Sequence, residues 1–492
     1  MSVLLELGII AAYLVVTLLI GVVAYRATER TAEDYYLAGR NIGTVVLLFT
    51  TFATLLSAFT FFGGPNIAYG AGPEWILVMG LMDGVLFAIL WYVVGYKQWL
   101  IGRRQGYMTL GEMLGDRFGS QRLRGLVAAI SLFWLFPYVM LQQKGAGTAI
   151  QALTGGAVPF WVGAGGITVF MILYVVVAGM QGVAWTDTVQ GLFMLTMVWA
   201  AVAWVLAAVG GPSAATASLP AEFKALGGAA APGAPYSPAF VVSSAVNIAF
   251  GVAMFPQINQ RFFVARSKRV LKRTFSLWPV LVVLLFVPAF MLGAWAKGLG
   301  VTVPENGNVL PVLLASYTPV WFAALVTAGA MAAMMSSSDS MLLSGSSYLT
   351  RDIYRPFVNP DASDRREDAV ARVGVVVFAS AAFVASLWAP GSLIQIGDTA
   401  FGGFAQLALP VLVALYWTGT TRWGILAGVV GSQAFYLASV FLAQVPSLVF
   451  GGWNASLLGM VLGLVLTVVF SALTTAGPAE DVSVYFEGLR AD

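Results

Sequence analysis

The sequence contains neither cysteine nor histidine, and only 10% of its 492 residues are charged. Without cysteine the chain can form no disulfide and no thiolate metal site. Without histidine it has no imidazole proton relay and no His-ligated metal. An enzyme built from this chain would depend on its scarce carboxylates, and no acid/base or metal constellation of carboxylates stands out. These absences argue against an enzyme.

Apolar residues make up most of what is present. They account for 59% of the sequence and recur in runs of about 20 residues, the length that a helix needs to cross a bilayer. This pattern predicts an all-α polytopic membrane protein with about thirteen transmembrane helices. The first run lacks a basic flank and a small-residue cleavage site, so we interpret it as a span and not as a signal peptide. The predicted spans are roughly 4–25, 44–70, 75–96, 125–149, 157–178, 186–209, 238–262, 274–296, 318–349, 371–388, 395–417, 423–443 and 455–475.

The basic residues support an odd number of spans. With thirteen spans, all but three of the 25 Lys and Arg residues fall in segments on one side, whereas an even number would divide them. The exceptions are Lys144, Lys224 and Lys297. The positive-inside rule then predicts a cell-membrane protein with its N-terminus outside and its C-terminus in the cytoplasm. The basic pI therefore reflects topology, and no nucleic-acid partner is expected.

Two of the predicted spans contain residues that interrupt a helix. The second span carries Gly63-Gly64-Pro65, and the seventh carries Gly251 and then Pro256-Gln257. Proline removes a helical hydrogen bond, so we expect each span to break there and to expose backbone groups inside the bilayer. The alternative is that Gly and Pro are simply common in membrane helices.

These predicted breaks lie five spans apart, and an odd offset inverts the second copy. Spans 2–6 and 7–11 would then form inverted five-helix repeats, an arrangement typical of secondary transporters that bind at the bilayer midplane. The predicted organisation is a leading helix with the first cytoplasmic loop (1–43), a first repeat (44–209), a second repeat (238–417), two trailing helices (423–475) and a cytoplasmic tail (476–492).

The stretch from Ala330 to Tyr354 combines small residues with hydroxyls. Ser336, Ser337 and Ser338 follow one another inside a predicted span, where hydroxyl and carbonyl oxygens can gather without net charge. Neutral oxygens of this kind suit a hard, singly charged cation. The alternative is that the small residues serve only close helix packing.

Five motifs occur in register with the predicted spans. They are Asp34-Tyr35-Tyr36-Leu37-Ala38-Gly39-Arg40, Trp185-Thr186-Asp187-Thr188-Val189-Gln190, Gln260-Arg261-Phe262-Phe263-Val264-Ala265-Arg266-Ser267, the Ser336–Leu343 stretch running into Leu349-Thr350-Arg351-Asp352-Ile353-Tyr354, and Tyr416-Trp417 followed by Arg422-Trp423-Gly424. In this order the chain resembles the sodium/solute symporter family, which includes sodium-coupled carriers of sugars, proline, pantothenate and monocarboxylates. The resemblance covers essentially the whole chain. It implies the inverted-repeat fold of the bacterial leucine transporter, with a leading helix and two trailing helices.

The same resemblance implies a sodium ion as the co-transported partner. The ligands that it implies are the backbone carbonyls of Ala53, Leu56 and Ala333 and the hydroxyls of Ser336 and Ser337. Asp187 is similar to the family carboxylate on the inward sodium path. The alternative for Asp187 is a solvated cap at the start of the sixth span, where an aspartate is favoured in any case.

Polar and aromatic residues within the spans are candidates for binding the solute. They are Ser57, Phe59 and Thr60 in the second span, Gln142 and Lys144 in the fourth, Gln257 and Asn259 in the seventh and Gln406 in the eleventh, with Asp398 nearer the start of that span. Lys144 is the central candidate, because an ionisable residue at that depth is functional unless it snorkels to the interface. We expect its ammonium to face the break in the second span.

Departures from the family pattern bear on the solute. The family's proline carriers have an aspartate where this chain has Leu55, and the monocarboxylate-like branch often has a histidine where this chain has Gln257. With Lys144 as the basic group, we predict a sodium-coupled symporter that imports a small organic anion such as a monocarboxylate. A neutral solute such as a sugar, amino acid or vitamin, proton coupling and a channel-like mechanism are the alternatives. The oligomeric state is not predicted.

Overall fold

The computed structural model describes residues 2–25, 32–224, 237–304, 307–442, 448–449, 453–475 and 483–486. Within these ranges the chain is nearly all helical, with one antiparallel two-stranded sheet of β1 (Leu448–Val449) and β2 (Trp453–Asn454). Eleven of the described helices are long and apolar enough to cross a membrane, and two bent helix pairs bring the number of candidate spans up to thirteen. The predicted helical membrane class is therefore confirmed.

The helices of the N-terminal half overlap the first six predicted spans, although α5 ends nine residues after the predicted end at 96 and α9 begins seven residues before the predicted start at 186. They are α1 (Ser2–Tyr25), α2 (Ala32–Leu37), α3 (Thr44–Leu55), α4 (Phe59–Ala71), α5 (Ile76–Gln105), α6 (Leu110–Arg117), α7 (Gln121–Leu153), α8 (Phe160–Val177), α9 (Gly179–Val209) and α10 (Pro212–Ala217), with 3-10 turns at Ala38–Arg40 and Ala221–Lys224. Gly179 separates α8 from α9 by its left-handed backbone, with φ of 59°.

The helices of the C-terminal half overlap the remaining seven predicted spans, although α15 ends eight residues after the predicted end at 349 and α16 begins seven residues before the predicted start at 371. They are α11 (Pro238–Ala253), α12 (Pro256–Val264), α13 (Lys268–Gly298), α14 (Val309–Tyr317), α15 (Val320–Phe357), α16 (Asp364–Ser386), α17 (Leu393–Tyr416), α18 (Arg422–Phe441), α19 (Ala455–Leu473) and α20 (Ser483–Phe486). The helix that carries the serine stretch, α15, is the most deeply buried of these candidate spans.

The second bent pair breaks where the sequence predicts it. Helices α11 and α12 meet at 55° directly before Pro256. A residue that precedes proline avoids the α region, and Phe255 accordingly has φ of −60° and ψ of 129°.

The first bent pair breaks at a different place from the one predicted. Helices α3 and α4 meet at 60°, and the chain leaves the helix at Leu56, whose ψ is 124°. Gly63-Gly64-Pro65 instead lies within α4. A Cβ on Gly63 would lie 2.9 Å from the Ile394 side chain, and one on Gly64 would lie 2.7 Å from Phe290. The two glycines therefore permit close helix packing and do not interrupt the helix.

The two bent pairs are joined to each other by backbone hydrogen bonds. The Ile42 amide donates to the Val264 carbonyl at 3.1 Å, and the Arg266 amide donates to the Ile42 carbonyl at 3.1 Å. This bridge links the start of α3 to the end of α12. The buried helix α15 packs against α3 and α12 as well as α7 and α9, so residues of α15 lie beside the first break.

Candidate functional site

The break between α3 and α4 and the serines of α15 form a buried cluster of oxygen atoms. The Ser336 hydroxyl donates to the carbonyls of Ala53 at 2.7 Å and Ala333 at 3.0 Å. The Ser337 hydroxyl donates to the carbonyls of Leu56 at 2.5 Å and Thr54 at 2.9 Å. The structure thus brings together all five residues that the resemblance implies as sodium ligands.

The neutral character of this cluster follows from the local sequence. Leaving the helix at Leu56 frees carbonyls of the last turn of α3 from intrahelical bonding, and the hydroxyls of α15 bond to them. The side chains of Ser336 and Ser337 are fully buried. Five neutral oxygens can replace the hydration shell of a small cation while binding it weakly enough for release. The neighbouring Ser338 differs, because its hydroxyl donates to the Met334 carbonyl of its own helix at 2.8 Å.

Asp187 lies one helical turn of α15 away from this cluster and is buried. Only 1% of its surface is exposed, which contradicts the alternative of a solvated cap. Its Oδ2 accepts hydrogen bonds from the hydroxyl of Thr50 at 2.6 Å and from that of Thr54 at 3.4 Å. The guanidinium of Arg261 completes an ion pair with the same oxygen at 3.1 Å.

Arg261 is a site residue that the sequence analysis missed. Its Nη2 donates to Thr50 Oγ1 at 3.2 Å and to Ser340 Oγ at 2.5 Å besides Asp187, and it is only 1% exposed. The signal was available, because Arg261 falls inside the predicted span 238–262. Arg261 also belongs to the family-like motif that begins at Gln260, but the motif alone does not show which acidic group it pairs with.

Three predicted solute residues stabilise the breaks. Gln142 Oε1 accepts a hydrogen bond from the Ala58 amide at 2.8 Å, and Ser57 Oγ accepts one from the Phe59 amide at 3.2 Å. Asn259 Nδ2 donates to the carbonyls of Phe255 at 2.8 Å and Ala253 at 3.3 Å. The bonds of Gln142 and Ser57 satisfy backbone amides that the first break leaves without helical partners.

The other predicted solute residues at the breaks are Phe59, Thr60 and Gln257, and all three are buried. The Phe59 ring lies edge-on to Phe401 with ring centroids 5.4 Å apart. Gln257 stands out because both atoms of its amide group are buried and have no hydrogen-bond partner among the described residues. An unpartnered buried amide costs free energy unless a ligand satisfies it.

Lys144 does not face the break in the second span as predicted, and Gln406 contacts a trailing helix. The Lys144 ammonium donates to the carbonyls of Ala389 at 3.0 Å and Gly391 at 2.6 Å, so the loop between α16 and α17 holds it, as the snorkelling alternative requires. Gln406 Nε2 donates to the Ser456 carbonyl at 3.1 Å and thus contacts the trailing helix α19. Long side chains can reach a neighbouring element that the sequence does not reveal.

Aromatic rings that the sequence analysis did not select line the region between the two breaks. The ring centroid of Phe255 lies 5.2 Å from that of Tyr138, 5.4 Å from that of Phe401 and 4.6 Å from that of Phe404. The Tyr138 hydroxyl lies 3.2 Å from Ser57 Oγ at the first break. The two breaks are therefore connected by an aromatic wall.

Two carboxylates lie within the predicted spans, and one of them, Asp398, is close enough to Tyr138 of this wall for its charge to act on it. Asp83 is 1% exposed, and neither of its carboxylate oxygens has a partner among the described residues. Asp398 is close enough to Asp83 for its charge to act on it. Asp83 was missed although it is the one charged residue in the predicted span 75–96.

Comparison with known proteins gives consistent matches over most of the chain. The model of the sodium:solute symporter family matches residues 35–431. The sodium/pantothenate symporter of Escherichia coli K12 is 28% identical over 96% of this chain and 97% of its own length. The high-affinity proline transporter PutP of Bacillus subtilis 168 is 27% identical over 95% of this chain and 98% of its own length. The solved structure of a Na⁺-coupled sialic acid symporter, in a substrate-bound outward-open state, superposes with a TM-score of 0.81 at 20% identity and covers 96% of this chain and 99% of that chain.

Proposed function

Because the chain belongs to the sodium:solute symporter family, we propose that it is a sodium-coupled symporter that imports a small organic solute by alternating access. The observation that carries this proposal is the convergence of Ser336 and Ser337 on the carbonyls of Ala53 and Leu56. Four oxygens from a broken helix and a second, buried helix meet there without any net charge. When sodium binds, the two hydroxyls turn their lone pairs toward the ion, with the Ala333 carbonyl as fifth ligand.

We assign Asp187 to the inward path of sodium. It lies beyond the proposed ion ligands along α15, because Ser340, which contacts its partner Arg261, is one turn after Ser336. A carboxylate attracts the departing cation, while Arg261 competes for the same oxygen. This competition keeps the path site from binding sodium tightly, so sodium can pass on to the cytoplasm.

The proposed solute site lies between the two breaks, against the aromatic wall. Gln257 is the central recognition residue, because its unpartnered amide can donate one hydrogen bond and accept another. It stands in the first turn of α12, whose N-terminus has no side-chain cap and carries positive dipole charge.

A carboxylate-bearing solute is our first choice, since both a donated hydrogen bond and a helix N-terminus favour an anion. The relative from Escherichia coli, a sodium/pantothenate symporter, is consistent with this choice. Lys144 does not support an anionic solute, because its ammonium already donates hydrogen bonds to loop carbonyls.

A neutral or zwitterionic solute is the second candidate. The buried carboxylate of Asp83 and the half-buried carboxylate of Asp398 favour it, because an ionised carboxylate near the aromatic wall would repel a bare anion. The protonation states of these two groups decide between the candidates.

The proposed membrane arrangement has thirteen spans, with each bent pair counted as one. In this arrangement the segments 44–209 and 238–417 form two inverted repeats. Each break lies in the first span of its repeat, and these two spans cross the membrane in opposite directions. With the basic segments in the cytoplasm, the N-terminus lies outside and the leading segment 1–43 crosses the membrane to its first cytoplasmic loop. The trailing helices at 423–475 cross the membrane twice, and the tail at 476–492, most of which lies outside the described residues, is cytoplasmic.

Uptake into proteoliposomes tests the proposed function. A panel of radiolabelled carboxylates, amino acids and sugars should show one class that accumulates only with an inward sodium gradient. Replacing Gln257 by Leu should weaken binding of that solute by about tenfold to a hundredfold, because a lost hydrogen bond to a charged group costs about 1.5–3 kcal/mol. Uptake driven by a pH gradient alone, or ion flux without solute, would contradict sodium symport.

A further inference from the structure

A basic cleft lies at the start of α13, away from the ion and solute sites. It has a volume of about 990 Å³ and is lined by Ser267, Lys268, Arg269, Lys272, Arg273 and their neighbours Ser276 and Leu277. No acidic side chain is among these lining residues. Within the part of the chain that the structure describes, no ion pair engages Arg269, Lys272 or Arg273.

The position of Arg269, Lys272 and Arg273 is unfavourable without a counter-charge. They lie within the first six residues of α13, whose first turn carries the positive end of the helix dipole. Four like charges in two turns also repel one another. The first turn is already capped by Ser267, whose Oγ accepts a hydrogen bond from the Val270 amide at 3.3 Å. An anion in the cleft would relieve both the mutual repulsion and the unfavourable interaction with the dipole.

Aromatic and apolar residues place this cleft at the edge of the bilayer. The Lys272 ammonium lies 5.4 Å from the ring of Tyr92 and 5.1 Å from that of Tyr96, and tyrosines concentrate at the membrane interface. From the cleft an apolar track continues along α13. Leu277, Val280 and Leu284 share one helix face and are 46%, 57% and 37% exposed.

The adjacent helix α5 lines the other side of the same track. Val85 and Ile89 lie on the same face of α5 as Tyr92, seven and three residues before it, and are 52% and 53% exposed. A Cβ on Gly84 would lie 3.3 Å from Val282, so α5 and α13 are in close contact along the track. The track is wide open to lipid and fits acyl chains that descend from a headgroup in the cleft.

We propose that the cleft and the track together bind an anionic phospholipid, with its phosphate among Lys268, Arg269, Lys272 and Arg273 and its chains along the track. Clusters of four or more basic residues immediately next to a membrane helix are the pattern that recognises anionic lipids. A free phosphate would use only the cleft, whereas a lipid uses both parts, and the continuity of the two parts favours the lipid. The inference does not depend on the identity of the transported solute.

Lipid titration of the full-length protein in detergent, followed by native mass spectrometry, tests the proposal. Phosphatidylglycerol should bind more tightly than phosphatidylcholine. The variant Lys272→Gln/Arg273→Gln should lose about tenfold or more of that affinity, since each basic residue near an anionic surface contributes about 1 kcal/mol. The matched control is Arg365→Gln/Arg366→Gln, which removes two exposed arginines at the start of α16 and should bind the lipid like the unmodified protein.

Two further measurements separate a lipid from a soluble anion. Millimolar inorganic phosphate and water-soluble glycerol phosphate should fail to displace the lipid, because neither contacts the apolar track. Lys272→Arg should retain binding, since it keeps the charge. Equal binding of the two lipids, an unaffected Lys272→Gln/Arg273→Gln variant of normal thermal stability, or displacement by inorganic phosphate would overturn the proposal.

Discussion

At the scale of single residues, Thr54 connects the ion cluster to the Asp187–Arg261 pair. Its carbonyl accepts the hydrogen bond of Ser337 at 2.9 Å, and its hydroxyl lies 2.9 Å from Ser340 Oγ and 3.4 Å from Asp187. Rotation of the Ser337 hydroxyl toward a cation therefore releases a carbonyl of the residue that also contacts the ion pair. We expect sodium occupancy and the geometry of the ion pair to be coupled through this residue.

The hydroxyls of Ser336 and Ser337 should determine the sodium requirement. We predict that Ser336→Ala or Ser337→Ala raises the sodium concentration for half-maximal uptake by about tenfold or more, because a lost ligand costs on the order of 1–3 kcal/mol. The matched control is Ser338→Ala, whose hydroxyl bonds only within its own helix and should leave the sodium dependence unchanged. Sodium-dependent uptake in proteoliposomes measures all three. An unaltered sodium requirement in both test variants would rule out these ligands.

Asp187 should govern turnover and not solute affinity. We predict that Asp187→Asn slows turnover while the solute affinity at saturating sodium stays nearly constant. The same change should destabilise the protein by about 3–5 kcal/mol, because it leaves Arg261 buried and unpaired. Asp187→Asn/Arg261→Gln should recover part of that stability in a thermal unfolding assay.

The exposed ion pair of Asp368 with Arg372 provides the comparison for Asp187. Asp368→Asn should change neither turnover nor stability noticeably, since surface pairs contribute about 0–1 kcal/mol. A large loss of solute affinity in Asp187→Asn with normal turnover would instead move Asp187 into the solute site.

At the scale of elements, neighbouring helices hold the two breaks in place. Gln142 of α7 bonds to the Ala58 amide, and Asn259 of α12 bonds to the carbonyls that precede it. Helix α7 approaches the first break closely at Gly145, where a Cβ would lie 2.4 Å from the Ala58 Cβ and 2.9 Å from Met334 Sδ. The bend in the first pair is thus fixed by contact with α7 and α15.

Gly145→Ala tests the importance of this close contact. We predict that the added methyl group separates α7 from the break, with a loss of about 1–3 kcal/mol of stability from overpacking and a weakened sodium affinity. Gly166→Ala is the control, because a Cβ there has no neighbour within 4 Å. Thermal unfolding and sodium-dependent uptake of the two variants give the comparison. Equal behaviour would mean that the contact is dispensable.

Sequence patterns predicted the helices well but not which glycines break them. The apolar runs and Pro256 act through the local chain, and the structure has helices over those runs and a break directly before Pro256. Whether Gly63 breaks a helix or packs against one depends on Ile394, more than 300 residues away. The same limit applies to Lys144 and Gln406, whose partners lie on other elements. The ion cluster could be predicted because family motifs already encode how distant segments meet.

At the scale of the whole molecule, the chain is a membrane protein of many spans whose orientation is open to direct test. Since it has no cysteine, any cysteine introduced is a unique label. We predict that a membrane-impermeant maleimide applied to intact cells labels Ala157→Cys, in the exposed loop after α7, and does not label Asp361→Cys, in the exposed loop before α16. Permeabilised cells should give labelling of both. The reverse pattern in intact cells would invert the proposed orientation.

The backbone bridge at Ile42 joins the start of α3 in the first bent pair to the end of α12 in the second. For either half-helix to swing alone, two main-chain hydrogen bonds must be lost, at a net cost of about 1–3 kcal/mol. Half-moved forms would then be roughly ten- to hundredfold rarer than forms in which both ends have moved. A carrier in which only one half-helix has moved would let an ion cross without its solute. By making such forms rare, the bridge should keep ion leak low, so that nearly every ion that enters is accompanied by a solute molecule.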